Sequence, residues 1–328
     1  MSSNRSVLIT RAMPPNVGAR ASADFDVSLN EEDTLWPIGE VIRRADGYRA
    51  LLVCSSDKLT PDAIARLPES IEIVSTFSVG YEHINVEAAS ERKMLVTNTP
   101  DVLTDATADI TMLCLLGAAR RATEGLLMLR EGRWNSWRTT LLLGTHVTGK
   151  RIGILGMGRI GQAVAARARG FGMRVHYHNR SRLSPDLEQG ATYHADAERM
   201  LPHCDFLSLN APSTPATEGF LNAARIRKLP RGAVVVNTAR GNLVDDDALI
   251  AALENGHVAS AGLDVFAGEP NLNPAYQHME NVFALPHIGS ATDETRDDMG
   301  YTCLDNIAAH FSGVVPPNAL NGAWLGQD

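Results

Sequence analysis

The sequence lacks any apolar run long enough to cross a membrane. Its richest apolar stretch, residues 110–119, is interrupted by Thr111 and Gly117. It falls short of the roughly 18 residues that a spanning helix needs. Near the N-terminus, residues 7–9 form an apolar stretch that is too short for the core of a signal peptide. We therefore expect no membrane segment and a cytoplasmic protein.

Paired cysteines and long basic runs are also missing. The four cysteines lie far apart and form no C-x-x-C pair: Cys54, Cys114, Cys204 and Cys303. This spacing argues against a disulfide framework and against a cysteine zinc site. His176 and His178 share a strand face, but no third candidate ligand is expected nearby, so no metal site is predicted. The net charge of −8, without a basic run, argues against nucleic-acid binding.

Length and composition predict an α/β protein with two domains. A chain of 328 residues is about twice the usual domain size, and 44% hydrophobic with 21% charged residues is an ordinary globular composition. In the first hundred residues, β-rich runs alternate with helix-like intervals, which is typical of a parallel sheet covered by helices. The predicted strands are residues 6–10, 51–54, 71–77 and 94–97, and the predicted helices are residues 40–44 and 61–67.

A second alternating series follows a long helical pattern at residues 104–129. Its six strand candidates are residues 151–155, 174–178, 205–209, 233–237, 260–263 and 282–285. A helical pattern at residues 292–311 is expected to return the chain to the first domain. We therefore expect two doubly wound parallel-sheet domains. These are a flavodoxin-like substrate-binding domain, residues 1–103 and 292–328, and a Rossmann dinucleotide-binding domain, residues 104–291.

A glycine-rich segment lies between the first strand of this second series and the helix that follows it. It reads Gly156-Met157-Gly158-Arg159-Ile160-Gly161 and matches G-x-G-x-x-G. Gly156 permits the tight turn, Gly158 lets backbone amides approach a pyrophosphate, and Gly161 allows close helix–strand packing. The helix N-terminus adds a positive dipole. In this strand–turn–helix setting the segment predicts dinucleotide binding.

The next strand ends in a turn that indicates which dinucleotide binds. NAD-preferring sites usually carry an acidic residue there, but this chain reads Asn179-Arg180-Ser181-Arg182. Asn179 does not repel a ribose phosphate, and Ser181 can donate a hydrogen bond to it. Arg180 and Arg182 can form charge-assisted hydrogen bonds with phosphate oxygens. The turn therefore favours NADP(H) over NAD(H), with a solvated basic turn as the alternative.

Three later strand ends carry residues suited to reduction of a 2-oxo acid. Arg240 can bind the substrate carboxylate, since its planar guanidinium matches a carboxylate fork. His287 can protonate the carbonyl oxygen as hydride arrives from the nicotinamide. Glu269 beside that imidazole would favour the protonated ring and fix its orientation. Taken singly, these residues could equally be a structural arginine, a surface acid and an ordinary histidine.

With these motifs the chain resembles the D-isomer-specific 2-hydroxyacid dehydrogenase family, and within it the glyoxylate/hydroxypyruvate reductases. Segments at residues 78–84, 99–109 and 131–137 carry the resemblance further. It implies that the Val79 and Gly80 backbone amides hold the substrate carboxylate, while His83 packs. It also implies that Arg240, Glu269 and His287 are the catalytic residues. The implied contacts along the rest of the cofactor are Thr107, Asn210, Ala211, Pro212, Thr217, Thr238, Ala239, Asp264 and Gly289.

One further segment and one departure refine the resemblance. Residues 131–137 resemble the dimerisation loop of the reductases, where a tryptophan reaches the neighbouring subunit's substrate pocket, so Trp137 is a candidate substrate contact. The alternative for Trp137 is ordinary packing. Asn210 stands where many relatives carry histidine, which changes contact details but not the expected fold.

The expected function is an NADPH-dependent reductase that works as a homodimer. It would convert glyoxylate to glycolate and hydroxypyruvate to D-glycerate. Two alternative functions also fit the sequence. One is another D-2-hydroxyacid dehydrogenase acting on a bulkier 2-oxo acid. The other is a non-enzymatic binding module that senses a nucleotide, since fold alone does not establish an activity.

Overall fold

The computed structural model describes residues 5–324, which divide into two compact units. The first unit comprises the chain up to Leu103 and from Ala291 onward, and the second is Thr104–Ser290. The expected domain ranges also include the first four and last four residues, which lie outside the described part of the chain. No helix in residues 5–324 is both long and apolar enough to cross a membrane.

The first unit is built on a five-stranded parallel sheet. Its strands are β1 (Ser6–Ile9), β2 (Asp26–Leu29), β3 (Ala50–Val53), β4 (Ile73–Thr76) and β5 (Leu95–Thr97). They are arranged in the order β2-β1-β3-β4-β5, which is the flavodoxin-like order. The sequence did not predict β2, because this edge strand is partly exposed and lacks a continuous apolar run. The predicted fold class of this unit is confirmed.

Four helices connect these strands: α1 (Pro15–Asp24), α2 (Ile38–Arg44), α3 (Pro61–Arg66) and α4 (Val86–Glu91). Capping side chains start the last two. The Thr60 hydroxyl accepts a hydrogen bond from the Ala63 amide, and the Asn85 side chain accepts one from the Ala88 amide. These caps fix the entry of each helix beside the sheet.

The second unit is built on a seven-stranded parallel sheet. Its strands are β6 (Arg151–Leu155), β7 (Arg174–His178), β8 (Thr192–Tyr193), β9 (Phe206–Leu209), β10 (Ala233–Asn237), β11 (Val258–Leu263) and β12 (Val282–Ala284). The order is β12-β11-β10-β9-β6-β7-β8. The strand order reverses between β6 and β9, and such a switch point is where doubly wound sheets bind ligands. The predicted Rossmann fold is confirmed.

The helices of the second unit differ from the prediction at one place. They are α5 (Thr104–Ala119), α6 (Ala122–Arg130), α7 (Arg159–Gly170), α8 (Pro185–Glu188), α9 (Ala197–Met200), α10 (Ala223–Ile226) and α11 (Asp246–Glu254). The expected continuous helix over residues 104–129 is wrong, because Arg121 adopts a left-handed conformation with φ of 55°. The Ala119 carbonyl instead accepts a hydrogen bond from the Thr145 amide at 2.7 Å. That contact ends α5 before the next turn forms.

Two cores hold the seven-stranded sheet from opposite faces. One contains Ile154, Tyr177 and Val236, and the other contains Leu209 and Val235. Successive residues of a strand point to opposite faces, so both faces of β10 are buried. The last helix, α12 (Asp293–Phe311), returns to the first unit. Rigid strands of this kind give the loops at their carboxyl ends fixed starting points.

Candidate active site

The glycine-rich turn joins β6 to α7 and leaves an open cradle. Gly156 has φ of 93°, and a Cβ atom there would lie 2.7 Å from the Ala211 amide nitrogen. A Cβ atom on Gly161 would overlap the Gly156 carbonyl. In contrast, a Cβ atom on Gly158 would meet no atom within 4 Å. Packing therefore requires two of these glycines, while Gly158 borders free space suited to a phosphate.

The N-terminus of α7 is suited to an anion. Gly158 precedes the helix without a side chain to cap it, and the first turn contains no acidic residue. The amides at a helix N-terminus have no partner within the helix, and together with the helix dipole they favour a negatively charged group. Met157 and Ile160 of the same motif point into the hydrophobic core instead. Arg159 is the first residue of the helix.

The turn after β7 brings only part of the expected phosphate-binding set together. The Asn179 side-chain oxygen accepts a hydrogen bond from the Met157 amide at 2.7 Å, which ties this turn to the glycine-rich turn. Arg182 pairs with Glu188 through two contacts of 2.8 and 3.0 Å. Arg180 is exposed and makes no ion pair or hydrogen bond with another residue in the range 5–324. Arg180 is therefore available to bind a ligand, whereas Arg182 is already paired with Glu188.

The segment after β9 lies beside the glycine-rich turn. The Asn210 amide donates to the Leu155 carbonyl at 2.8 Å, and its side-chain oxygen accepts from Ser208 at 2.8 Å. Thr217 donates its hydroxyl proton to the Pro212 carbonyl at 2.7 Å. A Cβ atom on Gly156 would meet the backbone of Asn210 and Ala211. This segment therefore lies at the switch point of the sheet.

A pair of threonines links α5 to the end of β10. The hydroxyl oxygens of Thr111 and Thr238 are 2.7 Å apart, and the Thr111 hydroxyl also donates to the Thr107 carbonyl. The structure thus brings together Thr107 and Thr238, which the sequence predicts as cofactor contacts. Thr111 was not predicted, and its only sequence signal is a polar residue within an apolar helix.

Asn237 fixes the backbone that carries Arg240. Its side-chain oxygen accepts a hydrogen bond from the Ala239 amide at 3.1 Å, and its side-chain nitrogen donates to the Arg240 carbonyl at 2.8 Å. Asn237 itself is fully buried at the end of β10. Sequence reasoning missed this role, although a polar residue ending an otherwise apolar strand is the signal that could have found it.

Glu269 and His287 form a hydrogen-bonded pair beyond the ends of the neighbouring strands β11 and β12. The distance from His287 Nδ1 to Glu269 Oε1 is 2.6 Å, and the other carboxylate oxygen accepts from the Phe266 amide at 3.1 Å. Burial acts to raise the pKa of Glu269. The hydrogen bond and charge of His287 outweigh it and hold the pKa below its ordinary value. The ionised carboxylate fixes the proton on Nδ1, so Nε2 remains for another partner.

His287 also has an unusual backbone. Its φ of 54° lies in the left-handed region, which non-glycine residues adopt only occasionally. The Ile288 amide that follows donates to Asp264 Oδ1 at 2.8 Å, which secures this conformation. Strained backbone of this kind is common where a side chain must be presented in one orientation.

The buried side chain of Asp264 indicates whether the site fits a dinucleotide. Its side chain is fully buried, and Oδ2 has no hydrogen-bond partner within the described chain. A Cβ atom on Gly289 would lie 3.2 Å from this oxygen. Burial raises the pKa of the Asp264 carboxyl. A buried acceptor without a hydrogen bond costs free energy. This site therefore fits a hydrogen-bond donor such as the amide group of a nicotinamide.

The first unit holds its loop at Val79 and Gly80 through carbonyl oxygens. Ser78 donates its hydroxyl proton to the Gly80 carbonyl at 2.7 Å, and the Asn98 side chain donates to the Val79 carbonyl at 2.7 Å. No other residue of the described chain accepts a hydrogen bond from the two backbone amides. His83 is buried, with its Nε2 2.9 Å from the Thr76 hydroxyl. The loop is therefore fixed while its amides stay available.

The structure shows the surroundings of Trp137 and of His176. Trp137 lies in the segment between α6 and β6 and is 76% exposed. The expectation that no further candidate ligand lies near His176 is wrong. His176 Nδ1 is 3.0 Å from His194 Nε2. The His203 ring stacks on the His176 ring, with 5.3 Å between the ring centroids. Within residues 5–324, no group of three or more histidine, cysteine or acidic side chains is arranged to hold a metal ion.

A Rossmann sheet with an open glycine-rich turn at its switch point, and a buried carboxylate oxygen without a partner in the described residues, defines a dinucleotide-binding protein as the class. Comparison with known proteins narrows this class. The model of the D-isomer specific 2-hydroxyacid dehydrogenase NAD binding domain matches residues 112–289. The chain belongs to the D-isomer specific 2-hydroxyacid dehydrogenase family.

Full-length relatives support this assignment. A glycerate dehydrogenase of Hyphomicrobium methylovorum is 45% identical over 97% of this chain and 99% of its own. A glyoxylate reductase of Thermococcus kodakarensis is 41% identical over 96% of both chains. Among solved structures, an NADPH-dependent glyoxylate/hydroxypyruvate reductase from Sinorhizobium meliloti, in complex with NADP and malonate, is 34% identical with a TM-score of 0.88. The match covers 98% of each chain.

Proposed function

We propose that this protein is an NADPH-preferring reductase of small 2-oxo acids, converting glyoxylate to glycolate and hydroxypyruvate to D-glycerate. The observation that carries the proposal is the 2.6 Å contact between Glu269 and His287, which leaves Nε2 free to deliver a proton. Relatives named glyoxylate reductase, glycerate dehydrogenase and glyoxylate/hydroxypyruvate reductase support the substrate class.

Each of the three proposed catalytic residues has a separate role. The Arg240 guanidinium binds the substrate carboxylate and polarises the adjacent carbonyl. A bound reduced nicotinamide dinucleotide supplies the hydride for the carbonyl carbon. His287 transfers a proton from Nε2 to the carbonyl oxygen, and Glu269 stabilises the positive charge of the ring before that transfer. The Val79 and Gly80 amides are proposed to bind the same carboxylate, as the family resemblance implies.

The proposed cofactor contacts follow the chain along the strand ends. The glycine-rich turn, residues 156–161, and the N-terminus of α7 hold the pyrophosphate. The turn at residues 179–182 contacts the adenosine ribose, where Arg180 and Ser181 bind the 2′-phosphate. The contacts proposed for the remainder are Thr107, Asn210, Ala211, Pro212, Thr217, Thr238, Ala239, Asp264 and Gly289.

The exposed apolar segment around α6 supports the proposal of a homodimer. Leu129, Trp134, Trp137 and Leu143 are each more than half exposed. Large apolar side chains grouped on a surface are typical of protein–protein interfaces. We propose that a second copy covers them and that Trp137 reaches the partner's substrate. Sedimentation at the monomer mass of 35.4 kDa would contradict the dimer. A cytoplasmic location belongs to the same proposal and is checked by cell fractionation.

Initial rates test the function directly. NADPH and NADH are each offered with glyoxylate, hydroxypyruvate, pyruvate and phenylpyruvate, and oxidation of the cofactor is followed by absorbance. We expect the highest kcat/KM with NADPH and the two small substrates, glyoxylate and hydroxypyruvate. A preference for phenylpyruvate would assign the protein to bulkier 2-oxo acids. Cofactor binding without turnover of any substrate would indicate a nucleotide-sensing module.

A further inference from the structure

A buried glutamate holds one of the two arginines in the turn after β7. Glu188 lies at the end of the short helix α8, and its side chain is only 7% exposed. Arg182 donates from Nε to one carboxylate oxygen at 2.8 Å and from Nη2 to the other at 3.0 Å. This two-point contact uses the Nε/Nη2 edge of the guanidinium, which is one of the two edges through which an arginine binds a phosphate with two hydrogen bonds.

Tyr177 makes this arrangement rigid. Its side chain is fully buried in β7, and its hydroxyl donates to Glu188 Oε1 at 2.6 Å. The same hydroxyl accepts a hydrogen bond from the Leu183 amide at 3.0 Å. The carboxylate, the phenol and the backbone next to Arg182 therefore form one connected network. Moving Arg182 toward a ligand would break its two hydrogen bonds to a carboxylate that Tyr177 holds in place.

The charges in the turn follow from this network. Hydrogen bonds from Arg182 and Tyr177 lower the pKa of Glu188 to about 2, so the carboxylate is ionised at neutral pH. Its negative charge offsets the positive charge of Arg182. Arg180, two residues earlier, is exposed and has no such partner in the described chain. The turn therefore presents one uncompensated positive charge, although its sequence contains two arginines.

We propose that Glu188 is a specificity-determining residue that withholds Arg182 from the adenosine ribose and so limits the preference for NADPH over NADH. This inference rests on the proposed binding of the 2′-phosphate by the turn at residues 179–182. Glu188 acts through Arg182 and is a positioning residue, not a catalytic one. Discrimination then depends on Arg180 and Ser181.

The substitution Glu188→Gln tests the inference with the intact protein. Glutamine keeps an acceptor for the Tyr177 hydroxyl but removes the negative charge that binds Arg182. The probes are 2′,5′-ADP and 5′-AMP, whose dissociation constants are measured by calorimetry. We expect the ratio of the 5′-AMP constant to the 2′,5′-ADP constant to rise by roughly two- to fivefold, the range of one exposed ion pair. The same rise is expected in the NADPH to NADH ratio of kcat/KM.

A charge-balanced double variant keeps the test decisive if the single variant folds poorly. Arg182→Gln combined with Glu188→Gln removes both charges and leaves the net charge of the turn unchanged. If Arg182 is withheld, this variant retains the wild-type binding ratio. The matched control is Glu198→Gln, because Glu198 pairs with Arg225 and Lys228 elsewhere in the unit. It should leave the ratio unchanged.

Two outcomes would overturn the inference: an unchanged or lower ratio in Glu188→Gln, or a reduced ratio in the double variant. A reduced ratio in the double variant would mean that Arg182 already binds the phosphate while paired with Glu188. An unchanged or lower ratio in Glu188→Gln would mean that releasing Arg182 adds no contact with the phosphate. A general loss of structure would weaken both probes equally and leave their ratio constant, which thermal melting checks. Weaker binding of 2′,5′-ADP than of 5′-AMP by the wild-type protein would contradict the proposed cofactor preference. The shift caused by Glu188→Gln would still test Glu188.

Discussion

The strand ends of β10 to β12 and the turn after β7 differ in how firmly their proposed functional residues are held. At the strand ends, both oxygens of Glu269 accept hydrogen bonds, and the Asn237 side chain binds the backbone at both Ala239 and Arg240. In the turn after β7, Arg180 is exposed without a partner in residues 5–324. Proton transfer requires a geometry that exists before the substrate arrives, whereas a phosphate needs only a positive charge within reach.

Because the two regions differ in this way, we expect substitutions at the strand ends to cause large losses of activity and substitutions in the turn to cause small ones. The largest is expected for His287→Ala, which removes the proposed proton donor. We expect kcat to fall about 100- to 10,000-fold, the usual contribution of general acid catalysis. Cofactor affinity, measured by fluorescence titration, should change less than about twofold, because no proposed phosphate contact is lost.

His146→Ala is the matched control for this change. His146 is exposed and lies outside the proposed site, so its substitution should leave kcat unchanged. A wild-type rate for His287→Ala would remove His287 from the mechanism. Equal losses in both histidine variants would indicate a general effect on folding, which thermal melting distinguishes.

Glu269→Gln probes the charge of the pair. Glutamine keeps an acceptor for the Phe266 amide but loses the ionised partner of His287. Since a hydrogen bond to a charged group contributes about 1.5–3 kcal/mol, we expect kcat/KM to fall about 10- to 100-fold. The loss should be greater for kcat than for cofactor binding, and equal losses in both would contradict the assigned role.

The same variant has a defined effect on the pH dependence of stability. The pKa of Glu269 is lower in the folded protein than its ordinary value, so the carboxylate stabilises the fold above that ordinary value. This contribution is lost as the pH falls through the lowered pKa. Acidification should therefore reduce the melting temperature of the wild-type protein more than that of Glu269→Gln. Parallel curves for the two proteins would contradict this assignment.

Asp264→Asn should separate cofactor binding from stability. The asparagine oxygen can still accept from the Ile288 amide, while a donor replaces the unpaired Oδ2. We expect about tenfold weaker binding of NADPH, because the proposed acceptor for the nicotinamide amide is gone. The melting temperature without cofactor should be kept or raised, since a buried acceptor oxygen without a partner is removed. Unchanged NADPH affinity would exclude Asp264 from the site.

Local patterns in the sequence predicted the parts of the molecule that depend on local physics. Strands such as β10 are buried on both faces and read as continuous apolar runs, which makes them visible. The glycine-rich turn was predicted because each glycine answers a local steric demand. In contrast, the two-residue strand β8 offers too few residues for any pattern.

Tertiary contacts account for what the sequence did not predict. The break after α5 depends on Thr145, which is 26 residues away along the chain from Ala119. The partner of Arg182 was missed because Glu188 approaches only once α8 has packed beside β7, and no periodicity relates the two positions. His194 and His203 likewise reach His176 through the fold and not through spacing. These contacts are set by tertiary packing, which a single sequence does not display.

The smallest loss of activity is expected for a substitution in the turn after β7. Arg180→Ala removes the available positive charge of the turn after β7 without disturbing a hydrogen bond of the described chain. We expect kcat/KM with NADPH to fall about three- to tenfold, while the value with NADH changes less than about twofold. The NADPH effect should shrink at high salt, because exposed charges are screened. Arg199→Ala removes an exposed arginine from α9 and should affect neither cofactor. Equal losses with NADPH and NADH would mean that Arg180 supports the fold of the turn and does not recognise the 2′-phosphate.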